Sequence, residues 1–195
     1  SFPTRRSSDL MKEIGIIKNI YSWVAELKNR LGLENKTFVT SAMVDKELVF
    51  QAQDKSLVVI SVEVANVFMS YRQLSDSSQE SAGVIIGERR DVHIVIKTLS
   101  VPSRWDIRSR FMVDRVSRHH QKTVDNAFKK SNGEWQYLGE WHTHPENVPK
   151  PSMTDYNTWH KNLKSSYPLI LIIVGRTSFW VGKKINQKIE ILQQI

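Results

Sequence analysis

An α/β fold is predicted for this 195-residue chain, and two kinds of segment predict it. Short runs rich in β-branched residues, such as Ser56–Ile60 and Leu169–Val174, read as strands. Other stretches carry apolar residues at three- and four-residue spacing and read as amphipathic helices. The length suits one domain with a small extension and permits a substantial core.

Taken in order, residues 1–10 (Ser1 to Leu10) precede the first Met, Met11, and are read as a non-native leader outside the fold. Residues 11–36 form an N-terminal unit. Its helix, 12–31, shows Ile16, Ile17, Ile20, Trp23, Val24, Leu27 and Leu31 on one face and is stopped by Gly32. Strands are expected at 38–42, 47–52 and 56–60. Ser61 can cap the next helix, with Glu63 in its first turn and Val64, Val67, Phe68, Tyr71 and Leu74 as the apolar face. Gly83–Gly87 and Val92–Leu99 read as a strand pair turning at Arg89-Arg90-Asp91, the second alternating apolar with polar. Residues 102–112 are irregular and basic, with a short strand at their end. Asp114–Lys130 reads as a helix, stopped by Ser131-Asn132-Gly133. Gln136–Trp141 is a strand, Ser152–Leu163 a helix, and Leu169–Val174, Ser178–Gly182 and Lys188–Leu192 are closing strands.

Composition narrows the function. There is no cysteine, which excludes disulfides, thiolate metal sites and cysteine nucleophiles. No apolar run reaches the length of a membrane span, so no membrane association is expected and the default location is the cytoplasm. The net charge of +8 is first a solvated basic surface. Basic clusters at Arg104–Arg118 and Lys183–Lys188 carry no nucleic-acid-binding signature, so nucleic acid is a minority reading.

The chemistry concentrates in His142-Thr143-His144-Pro145 followed by Ser152 and Asp155. In an extended strand alternate residues share a face, so His142 and His144 point one way and Thr143 the other. Pro145, Pro149 and Pro151 stiffen the loop. Ser152 is a natural N-cap, and Asp155, one turn in, can point back at the histidines. Two imidazoles and a carboxylate suit Zn²⁺, with a fourth position open for water, which is the arrangement of a catalytic site. Such a hydrolase needs a general base, and the candidate glutamates are Glu80, Glu88, Glu140 and Glu146. Glu80 stands at the mouth of the apolar segment 81–87. Glu88 and Glu146 read as turn and loop charges, and Glu140, two residues before His142, could share its face. Trp141 and Trp159 are expected to pack around the site. His119 and His120 are expected to be exposed and unrelated to it, and His93 and His160 not to be ligands.

Glu80-x2-Gly83-x3-Gly87, followed by His142-x-His144-Pro145-x6-Ser152-x2-Asp155, resembles the JAMM (JAB/MPN) metalloproteases over roughly residues 38–195. The resemblance implies a JAB/MPN domain at 37–195 with a mixed, partly barrel-like sheet flanked by helices. It implies one Zn²⁺ held by His142, His144 and Asp155, Glu80 as the base that activates water, and Ser152 as a hydrogen-bond donor to the water or the developing oxyanion. All five positions are present.

Tyr137 to Pro145, then Pro151-Ser152-x2-Asp155-x3-Trp159, and the segment Arg108-Ser109-Arg110-Phe111, are similar to the JAB-domain isopeptidases of type II CBASS antiphage operons. That branch implies a bacterial cytoplasmic enzyme whose protein substrate is a CD-NTase conjugated through its C-terminus by an E1/E2-like system. The helix 12–31 departs from the catalytic core of the family. Two alternatives follow from the same motif: a JAMM peptidase acting on carrier-protein tails in sulfur transfer, and a nucleic-acid-associated protein of the RadC type. The latter's loop usually reads His-Asn-His-Pro-Ser-Gly, unlike His142-Thr143-His144-Pro145-Glu146-Asn147 here.

Overall fold

Leu169–Val174 is apolar at every position, and a strand of that kind must be covered on both faces. The computed structural model, which describes residues 43–195, places it inside a mixed sheet with packed side chains on either side. The expected leader, helix 12–31 and strand 38–42 lie outside the described residues.

The elements are β1 (Leu48–Gln51), β2 (Leu57–Ile60), α1 (Val62–Ser70), β3 (Ala82–Arg90), β4 (His93–Leu99), β5 (Ile107–Arg108), β6 (Val113–Asp114), α2 (His119–Lys130), β7 (Gln136–Thr143), α3 (Met153–Asn162), β8 (Leu169–Val174), β9 (Phe179–Ile185), β10 (Lys188–Ile191) and β11 (Gln193–Gln194). Nine strands form one sheet in the order β10-β9-β8-β7-β3-β4-β2-β1-β11. β2–β4 and β7–β8 run parallel and the other neighbours antiparallel. The C-terminal segment pairs first with β9 and then with β1, with Leu192 buried between the two halves, so it draws the sheet edges together into a nearly closed barrel. Across the closure Lys183 Nζ reaches Asp54 Oδ2 at 2.8 Å and Ser56 Oγ at 2.7 Å.

Alternation along β8 divides the core. Ile170, Ile172 and Val174 pack inward with Phe68 of α1 and Trp141, whereas Leu169, Leu171 and Ile173 pack against Trp159 and Leu163 at α3. α2 covers Val84 and Ile86 with Ala127. Among the described residues no helix is long and apolar enough to cross a membrane.

Several expectations are corrected. The helix expected from Asp114 starts at His119, because Asp114 pairs with Ile107 in a separate two-stranded ribbon and Asp106 takes the Ser117 amide. α1 ends at Ser70, leaving Leu74 outside it and 55 % exposed. The β3–β4 strands run on through Arg89 and Arg90, and the chain reverses at Asp91, which takes a left-handed φ of 56°. His120 is buried rather than exposed, because Ser100 Oγ and Asp106 Oδ2 hold its two ring nitrogens at 2.6 and 3.1 Å.

The pairing that positions the site is β3 against β7, with Ala82 opposite His142. It is reinforced just beyond its end. Ser81 N donates to Thr143 Oγ1 at 3.0 Å, Thr143 N donates to Ser81 O at 2.9 Å, and Thr143 Oγ1 donates to Gln73 Oε1 at 3.0 Å, all buried. The middle of β7 needs Gly139, where φ is +146° and a Cβ would stand 1.9 Å from Ile170 O.

Two stability predictions follow from this pairing. Thr143→Val leaves the Ser81 amide and Gln73 Oε1 buried without a partner and should cost about 2–3 kcal/mol in urea denaturation, whereas Thr143→Ser should recover most of it. Gly139→Ala should cost about 3 kcal/mol or more by the same measurement, since both the backbone angle and the β8 contact oppose a side chain.

Candidate metal centre

β7 delivers His142 within the strand and His144 one residue past its end. β8 fixes that end in turn. His142 lies opposite Ile173 in parallel register, and His144 N donates to Val174 O at 3.0 Å. The rings consequently face each other, with Nε2 atoms 3.1 Å apart. Thr143, on the opposite face, is spent on the Ser81 and Gln73 bonds, as strand alternation requires. The loop after His144 is braced by the β8–β9 turn, where Arg176 N donates to Glu146 O at 2.7 Å and Thr177 N to Asn147 O at 3.1 Å.

α3 begins at a capping box. Ser152 Oγ accepts from Asp155 N, and Asp155 Oδ2 accepts from Ser152 N at 2.6 Å and from Ser152 Oγ at 2.7 Å. The same carboxylate is aimed at the histidines, with Oδ1 3.3 Å from His142 Nε2 and Oδ2 3.5 Å from His144 Nε2. Helix capping and the histidine contact therefore share one side chain. Trp159, one turn further along α3, packs against the His142 ring at 5.9 Å and stacks on Trp180. Trp141 is buried beneath the site, its Nε1 donating to Ser100 O at 2.9 Å.

Glu80 reaches the same place from the segment just before β3. It is buried, and its carboxylate lies with the ring nitrogens of His142 and His144 inside a group whose members are all within 4.8 Å of one another, a cluster that could hold a metal ion. The donors also fit zinc by spacing. Ligand atoms about 2.0–2.1 Å from a tetrahedral ion lie about 3.3 Å apart, close to the 3.1 Å between the two Nε2 atoms and the 3.3 Å from His142 Nε2 to Asp155 Oδ1, while His144 Nε2 lies 3.5 Å from the other oxygen, Oδ2.

The two carboxylates differ in character. Burial pushes the Glu80 carboxyl up, and the nearby histidines oppose this only in part. Burial also acts against ionised Asp155, but hydrogen bonds from His142, His144 and Ser152 overcome it and hold that carboxyl well below the usual range. A cleft of about 370 Å³ opens over the cluster, bounded by Phe111 and Met112 on one side and by Ser152, Thr154 and Thr158 of α3 on the other.

The other candidate glutamates have different partners. Glu88 lies within β3 rather than in a turn, bound to Arg90 and to Trp135 Nε1. Glu140 does face the cleft, but it is paired with Arg115. Glu146 is more than a loop charge, because its Oε2 lies 3.3 Å from His144 Nδ1, on the ring edge away from the cluster. His93 and His160 bond elsewhere, to Leu57 N and Gln187. Sequence reasoning did not find Gln73, Thr143 as the cross-strand lock, or Arg115. Each acts through partners far away in the chain, and no local pattern marks them.

The chain is similar to known proteins over most of the described residues. Residues 62–184 match the family described as prokaryotic homologs of the JAB domain. A CD-NTase/cGAS isopeptidase of Vibrio cholerae is 49 % identical, matching 78 % of this chain and 98 % of that protein. One from Escherichia coli is 45 % identical over 76 % of this chain and 95 % of its own length. One from Pseudomonas aeruginosa is 31 % identical, covering 66 % and 83 %. Together the match over most of the described fold and the near-full-length relatives place this chain in the prokaryotic JAB-domain family.

Proposed function

We propose that the protein is a zinc-dependent isopeptidase that cleaves just after the C-terminus of a conjugated CD-NTase in bacterial antiphage defence, working in the cytoplasm against an E1/E2-like conjugation system. The observation that carries the chemistry is the convergence of Glu80, His142 and His144 at the floor of an open cleft, with Asp155 closing the donor set. The choice of substrate rests on the names of the near-full-length relatives.

His142 Nε2, His144 Nε2 and the Asp155 carboxylate would hold the ion. Zinc, when bound, supplies Lewis acidity that brings the pKa of a water toward about 7 and polarises a carbonyl. The contrast between the carboxylates supports separate roles, since environments that push two pKa values apart mark a base and a permanently ionised partner. Asp155, with its carboxylate facing both Nε2 atoms, suits a ligand. Glu80, raised by burial, suits the group that takes a proton from the attacking water and returns it to the leaving nitrogen. The water oxygen bonds to the carbonyl carbon, the C–N bond breaks, and the amine leaves with the proton from Glu80. Glu146, beside His144 Nδ1, would orient that ring. Ser152 Oγ lines the cleft and would serve as donor to the carbonyl oxygen as it gains charge by turning its one proton there from Asp155 Oδ2, which it meets at 2.7 Å. An extended substrate tail would lie along the cleft, adding to a strand edge.

The test is cleavage of a CD-NTase carrying a C-terminal reporter by purified protein. Chelation should abolish cleavage and zinc should restore it. Glu80→Gln should lower turnover by about 10²–10⁴-fold while zinc content and melting temperature hold. Asp155→Ala should lose zinc as well as activity. Turnover by Glu80→Gln within threefold of the parent would remove Glu80 as the base. Zinc-loaded parent protein that leaves the junction intact would remove the CD-NTase as substrate.

A further inference from the structure

The base proposed above precedes the first ladder residue of β3, so the sheet alone does not fix it. A guanidinium holds it in place. Arg108 Nε donates to Glu80 O at 2.7 Å, and its Nη2 donates to Ser81 Oγ at 2.5 Å and Gln79 O at 3.4 Å. Two further bonds add to the grip, with Glu80 N donating to Ser109 O at 2.7 Å and the Gln79 side-chain Nε2 to Arg108 O at 3.2 Å. One side chain thus spans three consecutive residues centred on Glu80, and only a planar fork with several donors can do this.

Arg108 is itself anchored. It belongs to the strap between β4 and α2 that carries the β5–β6 ribbon, and Asp106, two residues earlier, has a side chain that is 0 % exposed. Asp106 accepts from Ser103 N at 2.7 Å, Ser117 N at 3.1 Å and His120 Nε2 at 3.1 Å. His120 Nδ1 meets Ser100 Oγ at 2.6 Å, and that hydroxyl also accepts from Val84 N of β3 at 2.9 Å. From the other side Gln73, 0 % exposed, donates to Arg110 O at 2.7 Å. The strap is therefore pinned at both ends of the segment bearing Arg108. Its tip presents Phe111 and Met112, 74 % and 52 % exposed, to the cleft.

Resting on the isopeptidase reading, we propose that Arg108 is the positioning residue for Glu80, and that the strap holding it sets the catalytic carboxylate and the substrate-facing lip as one rigid piece. Arg108 meets the backbone of Glu80 and does not enter the reaction, so its loss should act on turnover more than on substrate binding. Misplacing a catalytic group by about 1 Å costs on the order of 10²-fold.

Arg108→Ala and Arg108→Lys should be assayed beside the parent, with zinc content, melting temperature and amide hydrogen exchange measured on each. The expected result for Arg108→Ala is a kcat lower by about 10–100-fold with KM within threefold, unchanged zinc stoichiometry and partial recovery of kcat with millimolar guanidinium but not urea. The Glu80 amide should lose about tenfold or more of its exchange protection, while the Val84 amide, fixed by Ser100, keeps its own. Arg108→Lys, a single point donor, should stay low. Unchanged kcat with an unchanged Glu80 amide overturns the proposal, and so does a loss of zinc and melting temperature that guanidinium does not reverse. If the parent itself cleaves no junction, the isopeptidase reading fails, and the Glu80 amide alone still decides whether Arg108 holds that residue.

Discussion

The antiparallel register of β3 on β7 is the constraint on which the site depends. It puts Ala82 opposite His142 and Ser81 opposite Thr143, and so brings Glu80 from a distant part of the chain to the His pair. Side chains alternate along a strand, so a slip of one residue would turn the histidines into the core and bring Thr143 to the cleft. The buried Ser81–Thr143–Gln73 bonds make such a slip costly, because each buried polar group would lose its partner. β8 pins the other edge of β7 in parallel, and Gly139 permits the close approach of those two strands. The histidines thus stand on a strand held from both sides, which is the rigid support a metal site needs.

Around that strand the structure assigns its charged groups sparingly. Asp155 closes the N-terminus of α3 and faces the histidines with the same carboxylate, so the helix start and the donor set are fixed together. Glu140, on the strand that carries the histidines, is neutralised by Arg115, which also donates to Gly83 O at 3.2 Å. Glu80 is buried at the cluster, and burial raises its affinity for a proton, with His142, His144 and Arg108 opposing this only in part.

The aromatic residues explain how the site stays shaped. Trp159 bridges His142 and Trp180, tying α3 to β9, while Trp141 faces the opposite way and packs on Phe68 and Tyr71. Consecutive residues Trp141 and His142 therefore serve the core and the cleft respectively. The lip formed by Phe111 and Met112 is the exception to this burial. Its exposure beside the cleft suits a surface completed by substrate, since large apolar residues gathered at a site mouth are better covered when a partner is bound.

Local rules in the sequence determined much of this. Period-two geometry gave the shared face of His142 and His144, the Ser152 cap and its acidic N3 residue gave the start of α3, and the run of apolar, mostly β-branched residues gave β8 as a strand. These depend only on neighbours a few residues apart, and they were legible for that reason. The boundaries of α2 and the burial of His120 were not, because Asp106 and Ser100 act on them from across the strap. Four glutamates were open as the base on composition and position. Folding separated them, giving Glu88 to Arg90 and Trp135, Glu140 to Arg115, Glu146 to the outer edge of His144, and Glu80 to the histidine cluster. The placement of Glu80 beside the histidines lies in strand pairing across some sixty residues, as in the Ser81–Thr143 bond with its separation of 62, and no local pattern of side chains encodes a partner so far away.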